Sequence, residues 1–169
     1  MATVPAIVSL EEYLHTEYSP DCEYIDGTIV ERNVGKGKHS YTQSELLVRL
    51  RQILSAPGKV VLVEQRTRVS ESRVRIPDVC VVSKLEEVTT KAPLLCVEVL
   101  SPDDRWNRVH ASIADYQAMG VPCVWVVDPY ERRAWVFDEV EPPSEVRDGV
   151  LRARSLSVEL PLSDVLPPE

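Results

Sequence analysis

Apolar residues recur along this chain with two periods, and the changes between them mark out its elements. From about Lys38 to Leu54, residues Leu46, Leu47, Leu50, Ile53 and Leu54 fall at helical spacing, while Arg49, Arg51 and Gln52 lie largely outside that stripe. This predicts a long amphipathic helix ending near Pro57-Gly58. Lys59 to Val69, Val74 to Val82, Leu94 to Leu100 and Cys123 to Val127 are apolar, β-branched runs that predict strands. Between the last two, Ser101-Pro102-Asp103-Asp104 introduces a helix with the stripe Trp106, Val109, Ile113 and Tyr116, and Gly120 closes it. Its early acids suit the positive end of a helix.

The flanking segments read in the same way. Ser9 with Glu12 three residues later is a capping-box pattern for a short helix that ends before Pro20. Asp26-Gly27, between Cys22 and Glu31, is a tight-turn pair joining two short strands. Ala134 to Phe137 adds an edge strand, and Leu151 to Leu160 one or two peripheral strands in a proline-rich, acidic extension over 139–169. Strand, helix and strand in succession imply a parallel crossover, whereas the hairpins imply antiparallel pairs. The expected fold is therefore α+β or α/β, a mixed sheet flanked by helices, in one domain with its core over about 9–138.

Composition narrows the class. At 169 residues, 44% hydrophobic and 27% charged, the chain fits one globular domain. It has no apolar run of membrane-spanning length and no signal-peptide pattern, so a cytoplasmic protein without a membrane partner is expected. A net charge of −8 argues against a surface that coats itself with nucleic acid non-specifically. Cys22, Cys80, Cys96 and Cys123 are dispersed and read as reduced core thiols.

The candidate chemistry lies in Asp78, within Arg75-Ile76-Pro77-Asp78-Val79, and Glu98, within Val97-Glu98-Val99. Each carboxylate interrupts an apolar run, where an ionised side chain is costly unless its charge is compensated. On neighbouring strands the two acids converge, and such oxygen ligands suit Mg2+ or Mn2+ rather than zinc. The alternative is a pair of strand-end acids in water or in structural ion pairs. Arg66, Arg68, Arg73 and Arg75 sit at strand spacing about Val69-Ser70-Glu71-Ser72 and could gather into a phosphate-contact surface, or simply form a solvated hairpin face. His39 and Glu45, on the first half of the long helix, either face the acids or serve as surface and capping residues. Glu64 is a further acid with a surface role as its alternative. Trp106, Trp125 and Trp135 read as core residues rather than base-stacking ones.

Several segments together resemble the PD-(D/E)XK nuclease superfamily and, more closely, the Uma-two family of restriction-endonuclease-like proteins. They are Glu23-Tyr24-Ile25-Asp26-Gly27, His39 opening a long helix, Arg75-Ile76-Pro77-Asp78-Val79, Val97-Glu98-Val99-Leu100-Ser101-Pro102, and Tyr116 to Gly120-Val121-Pro122 leading to Trp125-Val126-Val127-Asp128-Pro129. The resemblance implies a restriction-endonuclease-like fold, a Mg2+ (or Mn2+) cofactor held by Asp78 and Glu98, DNA as partner, and a homodimer. It also implies a lysine, which this chain lacks at both usual places: Leu100 stands two residues after Glu98, and Ser112 stands on the following helix. Arg108 and Arg105, one and two turns before Ser112, are the candidate substitutes, with exposed helix residues as the alternative. Lys84 and Lys91 are further cations within reach. A metal-dependent endonuclease, an impaired nuclease-like binder and a non-catalytic interaction module are the three functions these features leave.

Overall fold

The computed structural model describes residues 7–33, 35–139 and 141–169. Helix α1 (Leu10–Leu14) starts where expected, with the Ser9 hydroxyl accepting from Glu12 N–H. Strands β1 (Cys22–Ile25) and β2 (Thr28–Glu31) form a hairpin whose two turn residues, Asp26 (φ 49°) and Gly27 (φ 89°), both adopt the left-handed conformation. That is the turn an Asp-Gly pair favours, because its twist matches the strands. Helix α2 (Gly37–Ile53) follows.

The next two expected strands are each cut in half. Lys59 to Val69 becomes β3 (Val60–Val63) and β4 (Thr67–Ser70), and Val74 to Val82 becomes β5 (Arg73–Arg75) and β6 (Val79–Val82). The halves belong to different sheets. A four-stranded antiparallel sheet runs β2-β1-β5-β4, and β3 and β6 pair in a larger one. The breaks have local causes: Glu64 takes a positive φ of 50°, and Pro77 has no N–H to give a ladder.

The larger sheet continues through β7 (Leu95–Val99), the crossover helix α3 (Trp106–Met119), β8 (Cys123–Asp128), β9 (Arg133–Asp138) and a two-residue β10 (Ser144–Glu145). Its order is β10-β9-β8-β7-β6-β3, with β7–β8 parallel and every other pair antiparallel. The expected mixed sheet is thus present, although β9 is covered by β10 instead of forming an edge. Helix α3 is shorter at its start than the sequence suggests. Asp103 and Asp104 precede it, and Asp104 accepts from Ser101 N–H at 2.6 Å and from Asn33 at 2.5 Å, so the acids tie the loop rather than the helix dipole.

Alternating residues send the six-stranded sheet's side chains into two cores. Val79, Val81, Val97 and Trp125 meet Leu46 and Leu50 of α2 on one face, while Cys80, Cys96, Val124 and Val126 meet Val109, Ile113 and Tyr116 of α3 on the other. All four cysteines are free and buried, as expected. The C-terminal segment is not the peripheral extension anticipated. Strands β11 (Val150–Ala153) and β12 (Val158–Pro161) form a hairpin whose Leu151, Ala153, Val158 and Leu160 lie in the α2-side core, and Trp125 Nε1–H donates to Arg152 O at 2.9 Å. Its alternation of apolar and polar residues lets a short hairpin bury one whole face. Of the tryptophans only Trp125 is fully buried; Trp106 is 41% exposed and stacks edge-on against Trp135.

Leu160→Ala is expected to destabilise the protein by about 2–5 kcal/mol, the range for truncating a buried leucine, and so to match Leu46→Ala in urea denaturation. A loss within about 0.5 kcal/mol, typical of a surface change, would contradict the buried role of the hairpin.

Candidate active site

Asp78 stands just before β6 and Glu98 lies within β7, its antiparallel neighbour, with Val79 opposite Val97. Asp78 stands two residues before Cys80 and Glu98 two after Cys96, so strand alternation puts both acids on the α3 side of the sheet. Both line one small polar pocket of about 50 Å³ together with Glu23, Asn33, His39, Leu100, Ser101, Asp104, Arg108 and Ser112. Larger concavities of about 430 and 460 Å³ lie elsewhere, under β9–β11 and beside β3. The acids of the first are largely paired with its own arginines, Arg154 with Glu141 and Arg152 with Asp148. Size therefore does not locate the site; convergent buried acids do.

Asp78 is 4% exposed and its two oxygens have different partners. Oδ2 accepts from Val99 N–H at 2.7 Å, and Oδ1 receives Arg32 Nη2 at 2.9 Å with His39 Nε2 at 3.4 Å. Gln43 donates to the Asp78 backbone carbonyl at 3.0 Å. Burial opposes a charge on His39, but the bond to Asp78 and its attraction outweigh it, so the imidazole keeps its proton above the ordinary 6.5. The other ring nitrogen, Nδ1, is buried without a hydrogen-bond partner among the described residues, and Gly35 packs so closely that a Cβ there would meet it at 2.6 Å.

Among the described residues no cation lies at ion-pair distance from Glu98; its Oε1 accepts from Tyr116 O–H at 2.6 Å. Burial, and next the charge of Asp78, push its carboxyl well above the ordinary 4.5, with the Tyr116 bond opposing them. The side chain is half-buried by surface because the pocket opens onto it, but protein crowds the carboxyl, and that crowding governs its ionisation.

The other expected residues separate. Arg66 binds Asp21 in a two-pronged contact of 2.6 and 2.9 Å and stacks over Tyr13. Arg73 binds Asp26 and Asp115, and the buried Arg75 binds Asp115 at 2.7 Å and Glu23 at 3.0 Å. Arg68 reaches Ser70 O at 3.4 Å. The four do not form one surface, because each of three guanidiniums is drawn to a carboxylate that folding brings beside it. Arg108 lies in the pocket wall, bonded to Glu31 O at 2.8 Å and 3.6 Å from Glu23, while Arg105 is exposed at the α3 N-cap, outside the pocket. Glu45 pairs with Arg49 rather than with the site. Lys84 and Lys91 are exposed in the β6–β7 connection and do not line the pocket.

Three contributors were not among the expected site residues, although Glu23 and Tyr116 stand in segments that carry the family resemblance. Glu23 is 4% exposed and interrupts a buried strand, the same signal that marked Asp78 and Glu98. Arg32 and the Tyr116 hydroxyl left no comparable trace, since only the tertiary structure brings them to the acids.

A mixed sheet between helices, with two acids meeting from adjacent strands, is a nuclease-like fold. The chain belongs to the Uma2 family: that family's sequence model, "Putative restriction endonuclease", matches residues 10–166. The fold is similar to the crystal structure of a "putative nuclease belonging to DUF820" from Anabaena variabilis ATCC 29413, with a TM-score of 0.82 and 24% sequence identity over 94% of this chain and 97% of that one. No curated protein matches the chain.

The raised Glu98 carboxyl makes a signed prediction. Its contribution to stability is fully present below the ordinary carboxylate range and is lost as pH rises through the raised value. Glu98→Gln keeps an acceptor for Tyr116 without the charge, so with EDTA present its stability should fall less than wild type's between about pH 5 and pH 9 in denaturant titrations. Parallel curves would show that Glu98 ionises as it does in water.

Proposed function

We propose that the protein is an endonuclease that hydrolyses DNA phosphodiester bonds with Mg2+ or Mn2+ held by Asp78 and Glu98. The observation that carries this reading is that Glu98, half-buried beside Asp78 in the same pocket, makes no ion pair with any described residue. A purely structural acid pair would give each carboxylate its own cation. The donor set fits a hard ion: two carboxylates with room for water in a cavity of about 50 Å³. Among the described residues no three His, Cys, Asp or Glu groups form a ready-made metal cage.

A bound ion of this kind polarises a phosphate and lowers the pKa of an attacking water. The chain's residues set up that chemistry. Val99 N–H fixes one Asp78 oxygen and Tyr116 O–H orients Glu98. Arg108 offers a phosphate a guanidinium at the pocket wall, with Arg105 farther out at the N-cap. His39, against Asp78, holds the inner wall.

One observation favours a second reading, a nuclease-like protein that binds metal or DNA without cutting. Among the described residues no lysine lines the pocket, and Leu100 and Ser112 both stand in its wall. Purified protein should cleave plasmid or oligonucleotide DNA with Mg2+ or Mn2+, and Asp78→Asn or Glu98→Gln should each lower the rate at least about 100-fold. Cleavage that survives both changes would refute the assignment. An inactive wild type that gains cleavage with Ser112→Lys would establish the second reading. Sedimentation of the same preparation checks the pairing of two copies that the family resemblance implies.

A further inference from the structure

Arg32 follows β2 and reaches the carboxylate on which the site depends. Its side chain is 15% exposed, with Nη2 2.9 Å from Asp78 Oδ1 and Nη1 4.0 Å from Glu64 Oε2. The guanidinium thus lies between a buried acid, 6% exposed at its side chain, and an open one, 54% exposed. Val99 N–H occupies Oδ2, and an ion that reached Asp78 through Oδ1 would meet the oxygen Arg32 now binds. His39 already shares that oxygen at 3.4 Å, so a divalent ion arriving there would add a third cation, and the one it repels most is the closer, Arg32. Arg32 also lines an adjoining pocket of about 240 Å³ with Asn33, Ser40, Gln43 and Glu64, and His39 walls both pockets.

We propose that Arg32 is a displaceable internal counter-cation: a divalent ion takes Asp78 Oδ1 from it, and the released guanidinium is retained by Glu64 in the adjoining pocket. There it presents to a backbone phosphate the positive charge that Leu100 and Ser112 do not supply. A divalent ion more than replaces the single positive charge it displaces, so the buried Asp78 is never left uncompensated. Arginine does not lose its proton, so it leaves the carboxylate by moving rather than by titrating. This inference rests on the reading of Asp78 and Glu98 as ion ligands.

The test compares full-length wild type, Arg32→Met, Arg32→Lys and Asp78→Asn by calorimetric titration with MgCl2 and by thermal melts in EDTA or in saturating Mg2+. Arg32→Met should melt below wild type in EDTA, and Mg2+ should close most of that gap. Its Mg2+ affinity should exceed wild type's by about tenfold, within the usual range of coupling between two ligands. Arg32→Lys should fall between. Equal or weaker Mg2+ binding by folded Arg32→Met, or a gap that Mg2+ leaves unchanged, would overturn the displacement. Should Arg32→Met not fold, Arg32→Lys decides alone: tighter Mg2+ binding supports the displacement and unchanged binding overturns it. Binding that Asp78→Asn abolishes and the Arg32 changes leave untouched would overturn the displacement only. No Mg2+ binding by any version would overturn the reading of the site itself.

Discussion

The buried carboxylate of Asp78 is the constraint on which the rest of this structure depends. Removing an ionised acid from water costs several kcal/mol, so its partners must be held in place by the fold. Those partners come from separate parts of the chain: a backbone N–H of β7, Arg32 beyond β2, and His39 of α2. One side chain therefore fixes the four-stranded sheet, the six-stranded sheet and the long helix to each other. It stands at the seam where the chain leaves one sheet for the other, directly after Pro77.

A second network fastens the small sheet to α3. Arg75 spans Glu23 and Asp115, and Arg73 spans Asp115 and Asp26. These arginines are committed to architecture, and their commitment sets the electrostatics of the pocket. Glu23 faces the pocket while being held by Arg75 and approached by Arg108, so ion pairs tie the α3 wall to the hairpin. Among the described residues Glu98 makes no ion pair, and burial, with the charge of Asp78 next, raises its carboxyl.

The pocket is rich in acids and poor in cations. Leu100 and Ser112 give its wall no charge, and the positive groups that do reach it arrive from α2, α3 and the end of β2. Similarity to a putative nuclease at 24% identity establishes the fold; whether this pocket cuts rests on its own residues.

Helical and strand periodicity determined α2, α3 and the apolar strands, because a side chain's face follows from local backbone geometry alone. The same local logic marked Asp78 and Glu98, whose charges interrupt apolar runs, and it would have marked Glu23. Neither the split of two strands between sheets nor the buried C-terminal hairpin was legible, since each depends on which distant surfaces meet. Leu151 and Leu160 carry a strand pattern that fits an edge as well as a core. Arg32 is 46 residues from Asp78 in sequence, and no period links them. The sequence determined the elements and the acids; the tertiary structure decided their partners, because pairing a buried charge is a matter of three-dimensional proximity that no local pattern encodes.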